Sequence, residues 1–271
     1  VLILGMGVQG VALATILSQA TSATLIIITL LRTDECVKLR IGNLRLHWDI
    51  LGKIIRVGFP AAIQMAITGF SNIFVQSYIN FFDLNSTAPD VMSGWTAYAK
   101  IDQLLFLPMQ SISLATTTFV GQNLGKGQLA RAKEGITKSV IVSMAATAVM
   151  MIPLIVFAPK VVAFLNNKPE VIANGTMFLR VLTPFYLLCC FNQIYAGALR
   201  GAGNSRAPMI IMLSSFVLFR QLYLFVMSQI CNEIIPIAMS YPAGWLLSSI
   251  LTTVYFYRVK LGKTRLVEDE S

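Results

Sequence analysis

The sequence predicts an all-α, polytopic membrane protein, and three observations carry that prediction. Hydrophobic residues make up 56% of the 271 positions and charged residues only 12%, about half the charged share of a soluble domain. Apolar runs near the ~20 residues a helix needs to cross a bilayer recur along the whole chain. The basic residues crowd into every second connection between those runs, as positively charged loops do on the inner side of a membrane.

The first span covers residues 1–31 and is rich in small residues (Gly5, Gly7, Gly10, Ala12, Ala14) that let membrane helices pack closely. Its Gly5-x-Gly7-x-x-Gly10 spacing imitates a dinucleotide fingerprint. The preceding strand and the acidic residue about 20 positions on are both lacking, so nucleotide binding is not expected there. Residues 32–56 form a basic linker with Arg32, Lys38, Arg40, Arg45, Lys53 and Arg56. Leu46, Trp48, Ile50, Leu51, Ile54 and Ile55 give this linker an apolar side, which predicts an amphipathic helix lying along the membrane interface. His47 is the sole histidine and has no partner with which to form a metal site.

The second span is placed at residues 57–82, with Pro60 in its first turn, where a missing amide proton costs nothing. Gln64, Thr68, Asn72 and Gln76 recur every four residues and form one slightly drifting polar stripe. The stripe either lines a cavity or hydrogen-bonds to a neighbouring helix. The third span, residues 91–120, holds Asp102 inside an otherwise apolar run. An ionisable residue in a membrane helix is costly and is by default a candidate for function. Tyr98, Leu105 and Met109 share its face, whereas Lys100 points elsewhere, because residues two apart do not meet on a helix. Pro108 is expected to break the local hydrogen bonding, with the hydroxyls of residues 111–118 compensating.

A glycine-rich basic loop, residues 121–138, follows; it lacks the Gly-Lys-Ser/Thr ending of a phosphate-binding loop. The remaining spans are placed at 139–158, 171–199, 209–230 and 236–257, with a tail at 258–271. The fifth carries Arg180, Pro184, Asn192 and Gln193, and the sixth carries Arg220. The third and fifth each hold a proline and leave into a basic loop near a glycine, a weak internal echo of the kind transporters inherit from repeats. Loops 32–56, 121–138, 199–208 and 258–265 are the basic set, which places them in the cytoplasm.

Several functions are excluded. The net charge of +9 lies in short loops with no basic face interleaved with stacking aromatics, which argues against nucleic acid. Cys36, Cys189, Cys190 and Cys231 fit no metal spacing and read as buried bystanders. No nucleophile–base pair is visible, so an enzyme is not expected, nor any cofactor beyond a coupling ion.

Gly58-Phe59-Pro60 with Gln64, Gly121-Gln122-Asn123-Leu124-Gly125 leading to Ala130-Arg131-Ala132, and Leu199-Arg200-Gly201-Ala202-Gly203-Asn204 form a recognisable set. With Gly94-Trp95-Thr96-Ala97-Tyr98 and Lys100-Ile101-Asp102, the sequence resembles the multidrug and toxic compound extrusion (MATE) family over essentially its whole length. The resemblance implies twelve spans in two six-helix lobes around a central cleft. Residues 1–31 would be the last helix of the N-terminal lobe and 57–257 the whole C-terminal lobe, with the rest of the first lobe absent from this sequence. It implies export of organic, often cationic, compounds in exchange for Na+ or H+ by alternating access, from a bacterial inner or plasma membrane.

Some members carry a carboxylate on the first helix of the second lobe and another on its fourth. Here those helices show Gln64, Asn72 and Gln76, then Arg180, Asn192 and Gln193, with no acid. Other members place the coupling carboxylate on the first lobe, so the residues do not assign the ion. Asp102 either titrates or attracts a cationic compound beside Tyr98, Phe106 and Met109, or it pairs permanently with Lys100, Arg180 or Arg220. Arg180 and Arg220 are otherwise expected to snorkel or to pair structurally. A flippase of a related superfamily moving a lipid-linked sugar is the alternative, and a channel or a structural membrane protein is a third class.

Overall fold

In a computed structural model the chain is helical, and the structure describes residues 7–33, 38, 40, 42, 45–85, 90–231 and 233–259. Cys36, Gly5, Pro89 and the basic residues Lys260, Lys263 and Arg265 lie outside the described residues. Two compact units divide the chain, residues 1–51 and 52–271. Among the described residues seven helical segments are long and apolar enough to cross a membrane.

The first unit contains helix α1 (Gly7–Arg32). Three of its hydroxyls are satisfied within the helix: Thr21, Thr24 and Thr29 each donate to the carbonyl four residues back at 2.8 Å. Leu13, Ile16, Leu17 and Leu25 are exposed, as a lipid-facing helix requires.

Helix α2 (Trp48–Asn85) is one uninterrupted element and replaces the separate interfacial helix and second span that the sequence suggested. Pro60 therefore sits well inside α2, not in a first turn. Trp48, Ile50, Ile54 and Ile55 are exposed, so the apolar side of that stretch is present but on a continuous helix, with Leu46, also exposed, just before its start.

The second unit continues with α3 (Val91–Gly125), α4 (Leu129–Val156), α5 (Ala158–Leu165) and α6 (Pro169–Leu182). A 3-10 turn at Thr183–Phe185 then leads into α7 (Tyr186–Gly201). Next come α8 (Arg206–Leu213), a π-helical stretch at Ser214–Phe219, α9 (Arg220–Ile230), α10 (Ile234–Ala238) and α11 (Ser240–Arg258). Pro184 does interrupt its span, by that 3-10 turn, whereas α3 runs through Pro108 without a break. The hydroxyls after Pro108 do not rescue the carbonyl its ring leaves free. Ser111, Thr116, Thr117 and Thr118 donate to the carbonyls of Leu107, Ile112, Ser113 and Leu114.

α3 is the central element, packed against α4, α6 and α7. Close approach depends on glycine, as is usual where lipid supplies no hydrophobic drive between helices. A Cβ on Gly197 would lie 2.6 Å from Ser113 Oγ, and one on Gly94 2.6 Å from Asn174 Cβ. That proximity lets Ser113 donate to the Gln193 carbonyl at 2.7 Å and Thr117 to the Gly197 carbonyl at 2.9 Å.

The exits of α3 and α7 close in the same way. Gln128 N–H reaches the Asn123 carbonyl (2.8 Å) and Gly127 N–H that of Leu124 (3.0 Å); Asn204 reaches Leu199 (2.9 Å) and Gly203 reaches Arg200 (2.9 Å). This paired closure needs a left-handed residue, supplied by Gly127 (φ 69°) and Gly203 (φ 81°). At the other end of α3, Lys168 Nζ meets Asp90 Oδ2 at 3.1 Å, tying the starts of α3 and α6 together.

Candidate functional site

A cavity of about 800 Å³ opens in the second unit between α2, α3, α7, α9 and α11. α2 brings the whole polar stripe to it: Gln64, Thr68, Asn72 and Gln76 all line the wall. Ser71, Val75 and Ile79 on the adjoining face of α2 are buried and dock it. Of the two readings of the stripe, both hold in part. Gln64 hydrogen-bonds to Met212, and Asn72 accepts from Arg220 Nη1 at 2.8 Å, while the row as a whole faces the cavity.

α3 contributes Trp95, Tyr98, Asp102, Phe106 and Gln110. Asp102 is half-buried, and the Tyr98 hydroxyl donates to its Oδ1 at 3.3 Å. The same hydroxyl lies 3.1 Å from that of the fully buried Tyr186, so the carboxylate is the outer end of a short hydroxyl chain. None of the pairings suggested for Asp102 forms. Lys100 and Arg180 are exposed, Arg220 bonds to Asn72, and among the described residues no cation lies within ion-pair range of Asp102.

Met109 does not reach the cavity; it is fully buried in the core beside Leu105 and Tyr186. The cavity-facing row on α3 is centred on Phe106, and at 3.6 residues per turn Met109 is rotated away from it by roughly a sixth of a turn. The shared face with Tyr98 therefore continues into the core. Pro60, Pro108 and Lys100 also lie off the cavity, whereas Asn192 and Gln193 of α7 are on it.

Of the two uses expected of Arg220, it takes the structural pairing, through its bond to Asn72. It does not snorkel: it is 1% exposed and lines the cavity. Its guanidinium carbon lies 4.4 Å from the centre of the Tyr241 ring and 5.1 Å from that of Phe216, a cation–π arrangement on two faces. The π-helical stretch that delivers it is held by the Ser71 hydroxyl, which donates to the Phe216 carbonyl. Such stretches are frequent at functional positions.

Tyr241 and Trp245 of α11 complete an aromatic wall that the sequence reading did not identify. Ring centres link Trp95 to Tyr241 (5.5 Å), Tyr241 to Trp245 (5.8 Å), Trp245 to Tyr186 (5.0 Å) and Tyr186 to Phe106 (5.4 Å). Their signal was present, since residues 241 and 245 share one helical face, but nothing local said which way that face points. Cys189, read as a bystander, is buried at the cavity wall. An apolar aromatic wall opposed by a few polar groups is the usual make-up of a small-molecule site.

Residues 60–226 match the family model described as MatE. The chain is 29% identical over 223 residues to the probable multidrug resistance protein NorM of Thermotoga maritima, covering 82% of this chain and 47% of that protein. It is 26% identical over 286 residues to the probable multidrug resistance protein YoeA of Bacillus subtilis, covering 99% of this chain and 59% of that one. A solved structure described as the outward-facing conformation of a multidrug resistance MATE family transporter of the MOP superfamily superposes with a TM-score of 0.82. It is 19% identical and covers 94% of this chain and 56% of that one. The chain thus spans about half the length of the relatives it matches.

Proposed function

The chain belongs to the MatE family, and from that premise we propose that it forms the substrate-binding C-terminal half of a secondary active exporter. The exporter exchanges organic compounds for Na+ or H+ across a bacterial plasma membrane. The observation that carries this reading is the 800 Å³ cavity in which the stripe of α2, the unpaired Asp102 and the aromatic wall of α11 face one space. The multidrug resistance proteins of similar sequence support it.

Exchange follows from Asp102. A carboxylate removed from water and given no fixed cation takes up a proton or a small cation, or attracts a positively charged group. Those outcomes compete for one site. When the coupling ion occupies Asp102, the attraction for a cationic group is lost and the compound leaves; when the ion leaves, the compound can bind. Tyr98 holds the carboxylate in place through its 3.3 Å hydrogen bond without neutralising it. Alternating exposure of the cavity to the two sides of the membrane converts that competition into transport.

The test is ethidium efflux from vesicles containing the full-length protein, with Na+ and pH gradients imposed separately. Efflux driven by one gradient names the ion; efflux at an equal rate under no gradient sinks the exchanger. The alternative, a flippase for a lipid-linked sugar, gains from one observation, the permanent positive charge of Arg220 on the cavity wall. Headgroup-dependent lipid movement without dye efflux would select it.

A further inference from the structure

A second groove, of about 650 Å³, runs between α3 and α4 and shares no residue with the cavity described above. Ile112, Ala115 and Phe119 of α3 and Val142 of α4 form its apolar part, and Arg131, Glu134 and Lys138 of α4 its charged part. At 3.6 residues per turn these α3 residues lie roughly 150° around the helix from Phe106, so the groove opens on the side of α3 away from the cavity. Close approach of the two helices makes its floor: a Cβ on Gly135 would collide with the Phe119 ring.

Membrane depth sorts the two parts. Every charged residue of α4 (Leu129–Val156) lies between Arg131 and Lys138. The uncharged remainder, residues 139–156, is about 27 Å long, close to the ~30 Å hydrocarbon core of a bilayer. Lys138 thus stands at the edge of the core, with Arg131 about 10 Å further out at headgroup level and Val142 one turn inside. α3 returns alongside through the tight turn at 126–128, which sets Ile112 and Ala115 at the depth of the acyl chains. The charges are unequally answered. Lys138 Nζ holds Glu134 Oε1 at 2.7 Å, whereas among the described residues no acid lies within ion-pair range of the exposed Arg131. The groove keeps one net positive charge, and it belongs to the basic loop that the charge pattern places on the cytoplasmic side. Basic pockets between spanning helices on that side take lipid phosphates, and a guanidinium meets phosphate through parallel N–H bonds.

We propose that this groove binds one anionic phospholipid of the cytoplasmic leaflet. Its phosphate meets Arg131 at the rim, and one acyl chain lies along Phe119, Ala115, Ile112 and Val142. The site needs only the bilayer and the orientation of loop 121–138, so it stands or falls apart from export.

Native mass spectrometry of purified, delipidated full-length protein counts bound lipid as phosphatidylglycerol or phosphatidylcholine with identical chains is titrated in. The first phosphatidylglycerol is expected to bind about tenfold more tightly than the first phosphatidylcholine. R131Q is expected to weaken phosphatidylglycerol about fivefold and to leave phosphatidylcholine unchanged. K133Q removes the same charge two residues away and off the groove, and is expected to change neither. A115W fills the groove from its exposed side and is expected to weaken both lipids. Equal binding of the two lipids by the wild-type protein, or equal weakening of phosphatidylglycerol by R131Q and K133Q, overturns the site in favour of bulk charge attraction. Unchanged phosphatidylglycerol binding by A115W overturns the groove as its seat. Displacement of the lipid by an equal concentration of inorganic phosphate overturns the lipid as occupant. The wild-type comparison and A115W decide the matter even if R131Q fails to fold.

Discussion

Asn72 and Arg220 meet at 2.8 Å although 148 residues separate them, and this bond joins the polar stripe of α2 to the start of α9. It also fixes the guanidinium between its two aromatic faces. Replacing Asn72 by alanine leaves Nη1 without its acceptor. The expected cost is about 1.5–3 kcal/mol, the range for hydrogen bonds to charged groups. N72D, which supplies a counter-charge at the same place, is expected to recover or exceed wild-type stability. Thermal unfolding of the purified protein followed by tryptophan fluorescence checks both.

Asp102 carries exchange in the mechanism proposed above. D102N keeps the side chain's shape and removes its charge. Gradient-driven ethidium efflux is expected to fall by about tenfold or more, equivalent to at least ~1.4 kcal/mol, while the variant inserts and unfolds like the wild type. Wild-type efflux from D102N would sink the role assigned to this carboxylate.

Tyr98 touches both Asp102 and Tyr186 through one hydroxyl. Y98F is expected to cost about 1 kcal/mol of stability and to slow exchange. In a double-mutant cycle, Y98F added to D102N should slow exchange further by little, because the two side chains act through one contact. Full additivity of the two effects on efflux would separate them.

Glycine at the α3–α7 contact is a packing requirement. G197A places a methyl group against Ser113 and is expected to destabilise by about 1–3 kcal/mol, as overpacking does. Gly58, in α2, has open space where a Cβ would go. G58A is therefore expected to be neutral or to stabilise the helix by up to about 1 kcal/mol. Thermal unfolding should shift to lower temperature for G197A and stay unchanged or rise for G58A.

The sequence by itself determined the seven spanning segments seen among the described residues and their helical class, because crossing a membrane demands a run of apolar residues that is visible locally. It also determined that Gln64, Asn72 and Gln76 form one row, and that Asp102 is an acid in a costly place, since helical periodicity and hydropathy are local properties. Only the tertiary structure decided what these residues face. Met109 turned into the core by a rotation of α3 that its own sequence does not encode, and Arg220 became a cavity residue because α2 and α11 close over it. Tyr241 and Trp245 became a wall for the same reason. Burial and pairing are settled between residues far apart in the chain, through packing that no window of neighbouring residues contains.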